Sequence, residues 1–127
     1  MQFTSTLLVL ATVATSSIVS AKCYTSGQNW AWTENYEAAR GAVKDLCKSN
    51  GLAGYFREGQ EKSACANLPK ANAKVDFGVK WTGKGGLTLR DADCEWRLTN
   101  EINGCGLGGE TTTADWWFKS DPNNGRC

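Results

Sequence analysis

The sequence predicts an α+β sandwich built as one domain. Three observations carry this: two stretches with apolar residues at helical spacing, one stretch with strict apolar and polar alternation, and six cysteines spread over the chain without a repeat or linker. The predicted element order is β-α-β-β-β-α-β, with about five short, mostly antiparallel strands.

The first 21 residues contain no Asp, Glu, Lys or Arg, and end in Val19-Ser20-Ala21. The run "LLVLATVA" is too short to cross a bilayer, so residues 1–21 read as a secretory signal with cleavage after Ala21. Its n-region lacks the usual basic residue. Cleavage would leave residues 22–127 as a domain that folds in an oxidising compartment, which predicts an extracellular, secreted protein with three disulfides among Cys23, Cys47, Cys65, Cys94, Cys105 and Cys127. Fifteen pairings are open. The assignment tried first is Cys47 to Cys65, Cys105 to Cys127 and Cys23 to Cys94.

"KCYTS" opens the domain as a short strand. In "TENYEAARGAVKDLCKSNG", Tyr36, Ala39, Val43, Leu46 and Cys47 form one apolar stripe, with Thr33 as N-cap and Asn50-Gly51 as the stop. "LAGYFRE" and "KSACANL" read as strands. "KVDFGVKWT" alternates, placing Val75, Phe77, Val79 and Trp81 on one face and Asp76, Gly78 and Lys80 on the other. A second helix fits "TLRDADCEWRLTNEING", capped by Thr88 and Asp91, with Cys94, Leu98 and Ile102 inward and Trp96 pointing elsewhere. After a flexible "CGLGGE", "TTTADWWFK" reads as the last strand and "DPNNG" as a turn.

Composition excludes several functions. A formal net charge of +1 gives no basic face for nucleic acid or an anionic membrane. No histidine occurs and no C-x-x-C pair, which argues against zinc sites and histidine-dependent hydrolases, and six cysteines expected in disulfides leave no free thiol nucleophile. No cofactor is expected. Asp76, Asp91, Asp93, Glu95, Glu110 and Asp115 could supply a carboxylate pair, but no spacing isolates one, so the chain does not read as an enzyme.

The aromatic content points to binding. Read as one strand, "TTTADWWFK" places Thr112, Ala114, Trp116 and Phe118 on an apolar face, and Thr111, Thr113, Asp115, Trp117 and Lys119 on a polar one. An indole among carboxylate, ammonium and hydroxyl groups suits a sugar: the flat ring stacks on sugar C–H groups while its neighbours bond the hydroxyls. Asp115, Trp117 and Lys119 are the first candidates. Asp76 and Lys80 follow, with Gly78 leaving room for a ligand. Trp30, in the loop "GQNWAW", is the third. A strand face of this kind would equally serve a secreted effector or inhibitor that grips a protein partner.

"KCYTSGQNWAW", the "TENYEAARGAVKDLC" helix, "VDFGVKW" and the ending "WWFKSDPNNGRC" resemble, over the whole chain after the signal, a family of small secreted mushroom glycan-binding proteins. The resemblance implies an αβα-sandwich lectin whose two subunits join edge to edge into one sheet flanked by helices. It also implies a glycan pocket reaching toward the dimer interface, selectivity for fucosylated LacdiNAc glycans, and cytotoxicity toward cells that display them.

Overall fold

The computed structural model describes residues 19–127. Most of the predicted signal, residues 1–18, lies outside the described residues, and the expected cleavage point after Ala21 falls inside the first strand.

Helix α1 (Thr33–Leu46) buries Asn35, Ala39 and Val43, and Cys47 caps its C-terminus. Trp32 rather than Thr33 holds the N-cap position, without a side-chain cap bond. The buried Asn35 instead ties two loops to the helix: its amide donates to the carbonyls of Trp30 at 3.1 Å and Lys70 at 3.2 Å, and its Oδ1 accepts from the Lys70 amide at 2.9 Å. Helix α2 (Asp91–Gly104) buries Cys94, Leu98, Glu101 and Ile102, the predicted stripe plus one carboxylate. Thr88, expected as its cap, belongs to a strand.

The predicted order holds, with two strands added. The strands are β1 (Val19–Cys23), β2 (Gly54–Phe56), β3 (Glu61–Asn67), β4 (Ala73–Trp81), β5 (Leu87–Leu89), β6 (Gly109–Thr113) and β7 (Trp116–Asn124). Five form an antiparallel sheet in the order β1-β6-β7-β4-β3, and β2 pairs with β5 in a small separate ribbon. The alternation predicted for β4 is observed: Val75, Phe77, Val79 and Trp81 point into the core.

The C-terminal segment departs most from expectation. "TTTADWWFK" is not one strand but a hairpin, with Ala114 and Asp115 at its tip and Ala114 at φ 49°. "CGLGGE" is not wholly a loop, since β6 begins at Gly109, and "DPNN" continues β7 instead of turning. The hairpin register pairs Thr112 with Trp117 and Glu110 with Lys119. Thr112 therefore shares the face of Trp117, while Thr111 and Thr113 turn inward, the reverse of the single-strand reading.

One core contains the buried residues of both helices together with the inward residues of β4 and β7. Both helices thus cover the same face of the sheet. Inside it Trp116 contacts Trp81 at 4.8 Å, Phe56 edge-on at 5.1 Å and Phe118 at 6.0 Å between ring centroids.

The disulfides are Cys23–Cys105, Cys47–Cys94 and Cys65–Cys127, so none of the three pairings tried from sequence is formed. Topology decides this. Cys47 at the end of α1 and Cys94 at the start of α2 meet in the core where the helices pack, and Cys65 on β3 meets the chain end returning from β7.

Candidate functional site

The sheet face turned away from the helices is polar and carries one indole near its centre. Trp117 on β7 stands opposite Lys80 on β4 and Thr112 on β6. Its orientation is fixed from both sides. On β4, Gly78 has no Cβ, and one built there would lie 2.9 Å from Cζ3 of Trp117, so the ring occupies the space that glycine vacates. The room expected at Gly78 for a ligand is filled by the indole itself. On β6, Glu110 Oε1 accepts the indole Nε1–H at 3.0 Å, and its Oε2 accepts the Tyr24 hydroxyl at 3.0 Å. Burial, reinforced by the Glu110 carboxylate, pushes the Tyr24 hydroxyl well above the usual phenol range, which keeps it a donor in this chain.

Trp117 lines a cavity of about 340 Å³ with Glu61, Lys80, Thr82 and Thr112. The chemistry expected from sequence is present here, but several partners differ. Lys80 supplies the ammonium, Glu61 the carboxylate, and Thr112 and Thr82 the hydroxyls. Glu61, Thr82, Thr112 and the orienting Glu110 were missed, because their proximity depends on strand register. A hairpin signal at Ala114-Asp115 would have brought Glu110 and Thr112 into view.

The other predicted residues are divided. Lys119 and Asp76 line an adjoining cavity of about 410 Å³ that shares Glu61 with the first. Lys119 also reaches over the indole, with Nζ 5.9 Å from the ring centroid. Asp76 faces Asp121 across the strand pair, and Asn123 bridges the two, its amide 2.7 Å from Asp76 and 3.3 Å from Asp121. Burial pushes the Asp121 carboxyl above its ordinary range, with Asp76 and Glu110 adding to the rise and Asn123 and Lys119 opposing it.

Asp115 and Trp30 fall elsewhere. Asp115 sits at the exposed hairpin tip, not on the strand face of Trp117, and its carbonyl accepts from both the backbone amide and the hydroxyl of Thr82 at 2.7 Å. It holds Thr82 at the cavity rim through its backbone. Trp30 is 0 % exposed and its indole donates to the Cys105 carbonyl at 2.8 Å, so it is core and reaches no ligand. Its flanking polar residues suggested exposure, but the loop is pinned by that bond and by its packing against Tyr36 at 6.0 Å.

The comparison with curated proteins finds no match. Residues 39–127, which begin within α1 and contain the Trp117 hairpin and every residue lining its cavity, match the family model described as Glycan binding domain Y3, and the chain belongs to that family of glycan-binding domains.

Proposed function

We propose that the protein is a secreted lectin that binds cell-surface glycans at the Trp117 cavity and catalyses no reaction. One observation carries this reading: an indole locked in place by Glu110 and Gly78 opens onto an ammonium, a carboxylate and two hydroxyls in a cavity of about 340 Å³. Such a platform loses little entropy when a sugar stacks on it, and its polar rim matches the hydroxyls of a pyranose. The adjoining cavity of Lys119 and Asp76 takes the next sugar of an oligosaccharide.

The Asp76 and Asp121 carboxylates do not make this a hydrolase site. A glycosidase holds its acid and base free on either side of a scissile bond, whereas these two share the amide of Asn123.

The family resemblance adds selectivity for fucosylated LacdiNAc glycans, dimerisation through an edge strand, and cytotoxic or defensive action. β3 is the edge that supports a dimer best. It forms one margin of the sheet, and Glu61 on it lines the Trp117 cavity, so a partner strand there would adjoin the glycan. β3 is the longer edge, with 7 residues against 5 in β1, and signal cleavage would shorten β1 further by removing Val19–Ala21. Two sites per dimer would give avidity on a multivalent cell surface.

A glycan array at micromolar protein tests the reading. Binding to LacdiNAc-type glycans that is lost in Trp117→Ala, with the circular dichroism spectrum unchanged, is expected. A flat array would remove the lectin reading and favour a protein partner.

A further inference from the structure

The neighbour of Trp117 opens a second cavity on the other side of the sheet. Trp116 packs against the core but is only partly buried, and it lines this cavity together with Trp96 on α2 and Ala114 at the hairpin tip. Between α2 and the β6–β7 hairpin lies a cleft of about 320 Å³. Trp96 forms its outer wall and is 58 % exposed, a large apolar area for a side chain with no core role. The Arg97 guanidinium lies 4.4 Å from the Trp96 ring centroid, covering one indole face and standing at the cleft mouth with Asp93.

We infer that this cleft is a second saccharide site, which takes the N-acetylhexosamine end of a glycan and makes a single chain bivalent. The inference rests on the glycan-binding reading above. Its lining explains the choice of sugar. The depth of the cleft is apolar, formed by Leu89, Trp116 and Phe118, and suits the methyl of an acetamido group. The Arg97 guanidinium can donate to the acetamide carbonyl, and the Asp93 carboxylate, whose Oδ2 accepts from Arg90 Nε at 3.2 Å, has its other oxygen to accept from the acetamide N–H or from ring hydroxyls. Trp96 supplies the stacking face. Glucose, with neither methyl nor amide, should bind roughly tenfold more weakly. Because Trp116 and Trp117 point to opposite faces of the sheet, the two sites face away from each other, and one chain can link two glycans without a dimer.

Indole Nε1–H resonances report on the two sites separately. Titration of the ¹⁵N-labelled full domain with N-acetylglucosamine and N-acetylgalactosamine should shift the Trp96 and Trp116 signals saturably, in the wild type and equally in Trp117→Ala. Trp96→Ala, at an exposed position, should abolish the Trp116 shift and leave that of Trp117. If Trp117 responds while Trp96 and Trp116 stay still, or if their shifts vanish in Trp117→Ala, the second site is overturned and the first stands. Response at Trp96 and Trp116 alone would overturn the Trp117 reading instead, and no response at any indole would overturn the second site and count against both.

Discussion

The Trp117 indole donates to Glu110 at 3.0 Å across the β6–β7 hairpin, and the same carboxylate receives the Tyr24 hydroxyl. One side chain thereby anchors a tryptophan to a tyrosine 93 positions earlier in the sequence, and a surface ring that could rotate is held in one pose. If preorganisation supplies part of the affinity, removing the anchor should weaken binding without removing any ligand contact. Glu110→Ala is expected to weaken glycan binding by about tenfold, and Tyr24→Phe by less, with thermal unfolding little changed for either. Isothermal titration of both variants checks this, and equal affinity in Glu110→Ala would mean the ring needs no anchor.

Gly78→Ala approaches the same ring from the opposite side. The added methyl would lie 2.9 Å from Trp117 Cζ3, and since the contact is the far end of a side chain, the indole gives way before the backbone does. Gly78 does not have a positive φ, so alanine is tolerated by the strand itself. Binding should fall about tenfold or more while stability moves by less than about 1 kcal/mol. In a Trp117→Ala background the added methyl meets no indole, so any stability cost of Gly78→Ala that comes from this contact should disappear, and a double-mutant cycle on unfolding free energies reads this directly.

What could be read in the sequence follows the range of each signal. Periodicity is local, so the two helix stripes, the alternation of β4 and the opposite facing of Trp116 and Trp117 were all legible. The hairpin was not, because its tip is Ala114-Asp115, and an alanine at φ 49° gives none of the glycine or asparagine signal of a tight turn. That one miss moved Thr112 to the wrong face and hid Glu110. Register and disulfide pairing are long-range properties. Glu61 meets Lys80 and Thr112 meets Trp117 only after the sheet order is known. The polar neighbours of Trp30 suggested solvent, while long-range ties to the Cys105 and Gly106 carbonyls and packing against Tyr36 hold the ring in the core.

Trp30 therefore predicts a stability effect in place of a binding effect. Trp30→Ala leaves a large cavity and removes one of the two hydrogen bonds to the Cys105 carbonyl, which keeps that from the Gly108 amide at 3.0 Å, and should cost about 3–5 kcal/mol. Trp30→Phe keeps most of the volume and loses the hydrogen bond, for about 1–2 kcal/mol. Denaturant melts measure both, and the glycan affinity of the folded fraction of Trp30→Phe should equal that of the wild type.

The Cys47–Cys94 bridge joins the two helices within the core and closes a loop of sequence separation 47. In the chain-entropy model its removal costs about 4 kcal/mol. Cys47→Ala with Cys94→Ala should therefore lower the unfolding midpoint markedly. Fragment mass analysis without reduction should recover peptides linked 23 to 105, 47 to 94 and 65 to 127. A peptide joining Cys47 to Cys65 would contradict the helix packing itself.

Glu101 makes stability depend on pH. It is 3 % exposed on the core side of α2; Oε2 accepts the Thr111 hydroxyl, and Oε1 has no partner among the described residues. Burial raises its pKa, opposed in part by Thr111 and by the positive charge of Arg97. The sign follows from proton counts. Below the ordinary glutamate value, near 4.3, both folded and unfolded chains hold the proton and the fold has its full stability. As pH rises above that value the unfolded chain releases its proton while the folded chain retains it, so stability falls until the folded carboxyl also ionises. Asp121, raised for the same reason, adds a slope of the same sign, so the difference between wild type and Glu101→Gln isolates Glu101. At neutral pH the glutamine variant should be more stable by about 1–2 kcal/mol, because no charge is buried, and the advantage should vanish below about pH 4. Urea melts between pH 3 and 8 measure the gap, and a constant difference across that range would show that Glu101 ionises in the folded protein as it does in the unfolded chain.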